Sequence, residues 1–279
     1  MAEPSPLTVA GMSVAGSTLA RTTVGPMTVV PGIEGIEAAD GPLFVVVGVF
    51  DGLHLGHAYL LRELRRAARR HEARATVVTF DHHPDEILVG AAPPLLCDAG
   101  ERLRLLAAAG VDVTVVQHFD ERLRNTPFDT FIDSIAGRTT VAGFLMTPDA
   151  AFGHDRGGTP ATVAALGAER GFEVEVVPPF TLDGSPVRSS EIRAAIAAGD
   201  LAGARRLLGR AVAIVGDGAS DGGTTRLAFA LPVALPPAGS YPVRAAVEGH
   251  RPTRVTAIIE DGSVVLDGRF AGRVGVSFD

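Results

Sequence analysis

The sequence predicts an α/β fold: a doubly wound, Rossmann-like parallel sheet followed by a small all-β, barrel-like domain. Three observations predict it. Apolar, β-branched runs without strict alternation recur at residues 43–49, 75–80, 111–117, 141–146 and 172–177, and such runs read as strands buried on both faces. Segments of helical period at 58–70, 100–109, 127–135 and 159–170 separate them, and this alternation is the pattern of parallel strands joined by crossover helices. After Gly209 the helical period stops, and Gly, Pro and β-forming residues take over.

The elements follow in order. Residues 1–26 are rich in Ala, Ser, Thr and Gly with a single arginine, and read as a disordered extension without the apolar core of a signal peptide. The run 43–49 is the first strand. A turn through Asp51 and Gly52 leads into a helix whose Leu60, Leu61, Leu64, Ala67 and Ala68 share one face while arginines occupy the other. The second strand, 75–80, ends in the polar turn Asp81-His82-His83-Pro84. The strand at 141–146 opens into the loop Asp149 to Arg156, and two further helices are expected at 189–198 and 201–208. The domain boundaries read from this pattern are 27–209 for the α/β part and 210–279 for the β part. In the latter, 216–223 reads as a flexible loop, and four or five short strands follow from Thr225, with turns at Asp261-Gly262 and Asp267-Gly268.

Composition narrows the function. The chain has 279 residues, a formal net charge of −7 and a sequence pI near 5.6, which argues against a protein that binds nucleic acid through phosphate attraction. No apolar run reaches the roughly 18 residues a membrane span needs. Cys97 is the single cysteine; it cannot form an intramolecular disulfide, and a reducing cytoplasm is the expected compartment. The chain contains no lysine, which excludes a Schiff-base or P-loop lysine. Contacts to phosphate must come from arginine, histidine, hydroxyls and backbone N–H groups.

The chemistry is concentrated in three places. The first is Gly48-Val-Phe50-Asp51-Gly52-Leu-His54-Leu-Gly56-His57. A turn at the C-terminal end of a parallel strand, followed by a helix whose N–H groups and dipole point back at it, is a standing anion site. Gly56 permits close backbone approach, and His54 and His57 can donate hydrogen bonds to phosphate oxygens as charge develops. The second is Arg188-Ser189-Ser190-Glu191-Ile192-Arg193, where two hydroxyls at a helix start can cap the helix or hold phosphate. The third is Asp149-Ala150-Ala151-Phe152-Gly153. In isolation each has a plain structural reading: surface histidines at a helix start, an N-cap, and a ring filling a gap in the core. The acids and histidines Asp81, His82, His83 and Asp85 are consecutive in one turn and cannot all converge on an ion, so no protein-only metal site is expected.

Taken together and in this order, the motifs from about Met27 to Gly209 resemble the adenylyltransferase module of bacterial bifunctional riboflavin kinase/FAD synthetases, within the HxGH nucleotidyltransferase superfamily. The resemblance implies an FMN adenylyltransferase that transfers AMP from ATP to FMN, giving FAD and pyrophosphate. It implies that His54, His57, Ser189, Ser190 and Arg193 are the catalytic, phosphate-holding residues. Gly48, Phe50, Asp51, Gly52, Gly56, His83, Pro84, Asp149 and Phe152 would then line the nucleotide and flavin sites. Magnesium would arrive with ATP, and ATP and FMN would be the partners, with neither nucleic acid nor membrane involved. Arg188 stands where the family usually has serine, and Ala150 replaces an aromatic ring. The tail faintly resembles the family's riboflavin kinase barrel in the strand Leu235-Pro-Pro-Ala-Gly-Ser-Tyr-Pro-Val-Arg, yet the GxPTAN signature that binds ATP and magnesium is missing, so kinase activity is not expected. Two other readings stay open: a non-catalytic flavin or nucleotide binder, and a nucleotidyltransferase acting on another small phosphorylated substrate.

Overall fold

The computed structural model describes residues 20–278, within which the chain forms two compact units. One holds residues 20–93 and 103–186, the other 94–102 and 187–278.

In chain order the first unit contains β1 (Thr22–Val24), β2 (Met27–Pro31), β3 (Leu43–Val47), α1 (Leu55–Arg70), β4 (Arg74–Phe80) and α2 (Asp85–Leu88). Helix α3 (Ala99–Ala108) crosses the division at residue 102. Then come β5 (Val113–Gln117), α4 (Glu121–Arg124), α5 (Phe128–Ala136), β6 (Val141–Met146), α6 (Pro160–Arg170), β7 (Glu173–Val176) and the hairpin β8 (Thr181–Leu182) with β9 (Ser185–Pro186). The sheet order is β1-β2-β5-β4-β3-β6-β7. All neighbours from β2 to β7 pair in parallel, and β1 alone is antiparallel, on β2. Strands run outward from β3 in both directions, so the chain reverses beside β3, where open α/β sheets form their ligand crevice.

The central parallel strands are buried as their composition requires. Every residue of β4 after Arg74 is buried, and its two threonines satisfy their hydroxyls on the backbone, Thr76 on Arg74 O and Thr79 on Val49 O. That pairing removes the cost of an unmet buried hydroxyl. Helix α5 buries Phe131, Ile132 and Ile135 against Val45, Val115 and Phe144 of the sheet. Full burial of one such side chain contributes about 1.5–3 kcal/mol. Helix α6 starts and stops by local chemistry: Thr159 and Thr162 exchange side-chain to backbone hydrogen bonds in a capping box, Pro160 opens the first turn, and Gly171 ends the helix at φ 81°.

The second unit contains α7 (Ser189–Ala197), α8 (Leu201–Leu208) and the strands β10 (Ala213–Asp221), β11 (Thr224–Ala228), β12 (Gly239–Val247), β13 (Thr253–Glu260), β14 (Ser263–Asp267) and β15 (Gly272–Phe278). The six strands close an antiparallel barrel in the order β10-β11-β14-β13-β12-β15. Closure removes the exposed edges of an open sheet. Alternate residues point inward, and Leu227, Ala257, Ile259, Val264, Leu266 and Val276 form one core with Ile192, Ile196, Ala204 and Leu208 of the two helices. Packing therefore groups α7 and α8 with the barrel, whereas the change in sequence texture falls only after Gly209.

Three expectations require correction. Of the extension expected over 1–26, residues 1–19 lie outside the described residues, and Thr22–Val24 form β1, in register with β2 from Thr22↔Val29 to Val24↔Met27. Helix α1 begins at Leu55, three residues before the expected start. The loop expected at 216–223 is instead the outer half of β10 and its turn, because Asp217 to Asp221 pair with β11 and Gly216 and Gly218 with β15. These glycines serve close packing. A Cβ on Gly218 would lie 2.6 Å from Phe270 O and 2.8 Å from Val274 Cγ2.

Gly218→Ala should therefore destabilise the chain by about 1–3 kcal/mol, the range for overpacking. Chemical denaturation reads this directly; an unchanged or raised midpoint, the usual result of Gly→Ala in a flexible loop, would contradict the packed-strand assignment.

Candidate active site

Strand β3 ends at Val47, and the next ten residues build a rigid turn. Gly48 N donates to Val78 O at 3.0 Å, and Val49 O accepts from Thr79 Oγ1 at 3.0 Å, so the turn stays fastened to β4. Phe50 then takes a left-handed conformation, φ 54° and ψ 34°. Such a conformation costs a residue with a Cβ about 1–3 kcal/mol. Burial of its ring holds it there. Phe50 is 2 % exposed, and the ring lies so close to Gly48 that a Cβ on Gly48 would sit 3.0 Å from its Cε2. Asp51, Gly52 and Leu53 form one buried 3₁₀ turn, with Gly52 at φ 77°.

His54 is the N-cap of α1. Its Nδ1 accepts from the backbone N–H of His57 at 3.3 Å, a role that sequence reasoning missed because the usual caps are Ser, Thr, Asp and Asn. The imidazoles of His54 and His57 stack with centroids 3.7 Å apart and planes 19° apart, and Phe50 closes on His57 at 5.0 Å. His57 Nδ1 is buried without a hydrogen-bond partner. Burial, and then the neighbouring His54, push the His57 imidazole well below the ordinary histidine value. The ring is neutral in neutral solution. At the far end of α1, Arg69 and Arg70 complement the helix dipole.

Beside this turn lies a cavity of about 820 Å³ at the C-terminal ends of β3, β4 and β6. Gly48, His83, Pro84, Asp149 and Phe152 line it, together with aromatic rings such as Phe80 and Phe119. His83 Nδ1 accepts from Asp85 N at 3.2 Å, fixing the ring over the first turn of α2. Asp149 Oδ1 accepts from Thr147 Oγ1 at 2.7 Å. Phe152 fills a core gap as well as forming a wall, with its ring 5.5 Å from that of Phe131 and 6.1 Å from that of Phe144. Gly153 follows at φ 76°, where any Cβ would come 2.6 Å from Phe128 N.

Of the residues singled out from sequence, Gly48, Phe50, Asp51, Gly52, His54, Gly56, His57, His83, Pro84, Asp149 and Phe152 thus belong to one unit. Ser189, Ser190 and Arg193 belong to the other, in the first turns of α7. Arg188 occupies the N-cap position without a side-chain cap hydrogen bond, and Ser189 and Ser190 are the first two helical residues of α7. Arg193 Nε donates to Pro94 O at 2.8 Å. A further group was missed entirely. His118, at the end of β5, meets Asp81 Oδ2 with its Nδ1 at 2.6 Å. Burial works to raise the Asp81 carboxyl, yet the hydrogen bond from His118 and the close approach of the His82 imidazole hold it below the usual carboxylate range, and the bond to Asp81 raises His118.

The neutral His57 makes a stability prediction. Unfolded, it takes up a proton near pH 6.5, whereas folded it does so only at lower pH, so acid favours the unfolded chain across that window. The His57 contribution is complete above about pH 6.5 and is lost as pH falls below it. Thermal midpoints measured from about pH 7 to about pH 5 should fall less steeply for His57→Gln than for the parent chain; parallel profiles would show that His57 is not held neutral.

A family model described as FAD synthetase matches residues 36–191. Bifunctional riboflavin kinase/FMN adenylyltransferase of Haemophilus influenzae is 34% identical over 174 residues, 62% of this chain and 56% of that protein. The protein of the same name from Escherichia coli K12 is 32% identical over 193 residues, 68% of this chain and 62% of that protein. The matched region thus spans less than two thirds of these relatives' length. A crystal structure from Streptococcus pneumoniae, named macrolide-efflux protein, superposes with a TM-score of 0.77 at 22% identity, covering 90% of this chain and 89% of that one, and it bears on the fold alone. With the family model extending from the residues before β3 to the first turn of α7, through the His54-x-Gly56-His57 turn, the chain belongs to the FAD synthetase family.

Proposed function

We propose that the chain is an FMN adenylyltransferase that transfers AMP from magnesium-bound ATP to FMN, giving FAD and pyrophosphate. The observation that carries this reading is the pairing of the His54/His57 helix start with the aromatic-walled cavity beside it, at the point where the strand order of the sheet reverses. An FMN phosphate oxygen attacks the α-phosphorus of ATP. The bond from that phosphorus to the bridging oxygen breaks, and the electron pair leaves with pyrophosphate. No protein nucleophile is needed, since the attacking phosphate is already ionised. Catalysis is then positioning and charge stabilisation.

In this reaction the first turn of α1 presents backbone N–H groups and its dipole to the phosphates. His57 supplies a neutral N–H donor, and His54 holds the turn through its cap. The volume of the cavity suits a drug-sized ligand such as a flavin, with His83 and Pro84 at its polar end and Phe152 in its wall. The phosphate role of Ser189, Ser190 and Arg193 rests on their motif.

We read the barrel as lacking riboflavin kinase activity. A kinase needs a metal-holding side chain on its phosphate loop and a carboxylate base within reach of the attacking hydroxyl. Residues 227–236 contain no such motif. The acids Glu260 and Asp261 sit exposed at the β13–β14 turn, where Glu260 pairs with Ser263, the ordinary place for solvated charge.

Purified protein given FMN, ATP and magnesium should release pyrophosphate and form FAD, and His57→Ala should lower kcat on the order of a hundredfold, the effect of removing one transition-state donor. Undiminished turnover in the variant would remove His57 from the reaction. Absence of FAD with the parent chain would leave the reading of a non-catalytic binder.

Offered riboflavin and ATP without FMN, the same protein should yield no FMN by chromatography. Accumulation at an enzymatic rate would overturn the reading of the barrel.

A further inference from the structure

The parallel pairing of β4 with β5 runs to Phe80↔Gln117. The next residues on each strand, Asp81 and His118, therefore emerge side by side, with Asp81 N still donating to Gln117 O at 3.2 Å. The Asp81 carboxylate is fixed by its surroundings. Its Oδ1 accepts from the backbone N–H of His82 at 2.8 Å and of Phe119 at 3.2 Å, while Oδ2 faces His118 Nδ1 at 2.6 Å. His82 Nδ1 lies 3.1 Å from Asp81 Oδ1, is buried, and makes no hydrogen bond of proper geometry. The two imidazoles stand nearly perpendicular, at 82°, with centroids 5.8 Å apart. One ligand atom from each of Asp81, His82 and His118 lies within 4.8 Å of the other two.

We propose that Asp81, His82 and His118 bind a divalent transition-metal ion of the zinc class, which ties the turn bearing His83 and Pro84 to the end of β5. Two imidazole nitrogens with one carboxylate oxygen make a three-ligand set that suits zinc, cobalt or nickel, whereas magnesium and calcium prefer oxygen alone. A partnerless buried imidazole nitrogen is costly as it stands. An ion among the three groups gives it a ligand and lies where a small closure of the ligand atoms completes the sphere. His118 is 62% exposed, so the ion has an entry path and water can take the fourth position. None of the three side chains lines the cavity, although their neighbours Phe80, His83 and Phe119 do. The ion is thus distinct from the magnesium that accompanies ATP, and its effect on the cavity passes through the backbone of the turn. The plain alternative is an Asp81–His118 ion pair that binds no metal.

The two readings separate with cobalt(II), used as a visible probe for zinc. The full-length chain, stripped with chelator, should take up one equivalent of Co²⁺, develop ligand-field absorption, and lose that absorption when Zn²⁺ is added. His118→Ala and His82→Ala should each weaken Co²⁺ binding by at least about tenfold to a hundredfold, the loss caused by removing even an outer-shell partner. Zn²⁺ should also raise the thermal midpoint of the parent chain and not that of His118→Ala. His118 is exposed, and circular dichroism verifies that its variant is folded. Absence of Co²⁺ absorption in the parent chain, or equal absorption in a folded His118→Ala variant, overturns the proposal in favour of the simple ion pair.

Discussion

Everything at the C-terminal end of the sheet depends on the parallel register of β3, β4, β5 and β2. Parallel hydrogen bonding leaves the backbone groups at the strand ends to be met by whatever follows, and here the loops meet them. Gly48 N bonds back to Val78 O, Asp81 N to Gln117 O, and Gly32 N to Val116 O. Each strand exit is thereby fixed to its neighbour, so the three turns open at one level. The side chains that follow are delivered to one rim by the backbone pairing of the strands that carry them. Removing one of these contacts disturbs an adjacent loop as well as its own, because each turn is anchored on the strand that carries the next.

The turn after β3 shows how strain is carried at this rim. Phe50 in a left-handed conformation is unfavourable locally, and its fully buried ring makes it tolerable by occupying space that Gly48 leaves open. The residues of this motif therefore divide by task. Gly48 and Phe50 hold the turn, Gly52 permits its reversal, and His54 closes the helix end, while the His57 ring packs on both His54 and Phe50. Motif residues are not interchangeable ligands. Most of this stretch builds the scaffold on which one or two side chains can act.

Much of this was legible in the sequence, and the failures have physical causes. The parallel strands at 43–49, 75–80, 111–117 and 141–146 could be read because they are largely buried and need continuous apolar sequence, and the edge strand at 172–177 was read with them although its residues are half-buried or exposed. Strand β2 was not anticipated, since Met27–Pro31 ends in proline and follows what reads as an irregular segment. The start of α1 was placed late because a histidine cap lacks the usual signature. Strand β10 was mistaken for a loop because its Gly218 is there to admit Phe270 and Val274, a contact that no local pattern reveals. His118 was overlooked for the same reason: only the β4–β5 register, a property of pairing, brings it to Asp81 across 37 residues of chain.

The stacked histidines set the electrostatics of the helix start. As the cap acceptor, His54 Nδ1 carries no proton, so the ring's hydrogen is on Nε2. Two imidazolium ions at about 4 Å would repel by about 4 kcal/mol at an effective dielectric of 20, which matches the direction in which His54 moves His57. A pair of this kind offers directed N–H donors and little net charge. For the proposed reaction the consequence is that charge on the polyphosphate must be met elsewhere. In a chain without lysine, that duty falls to arginine, to the helix dipole and to the magnesium that ATP brings. Under the proposed reaction such a pair suits a substrate that arrives already partly neutralised by its own metal, with the histidines reserved for recognising geometry at the phosphorus under attack.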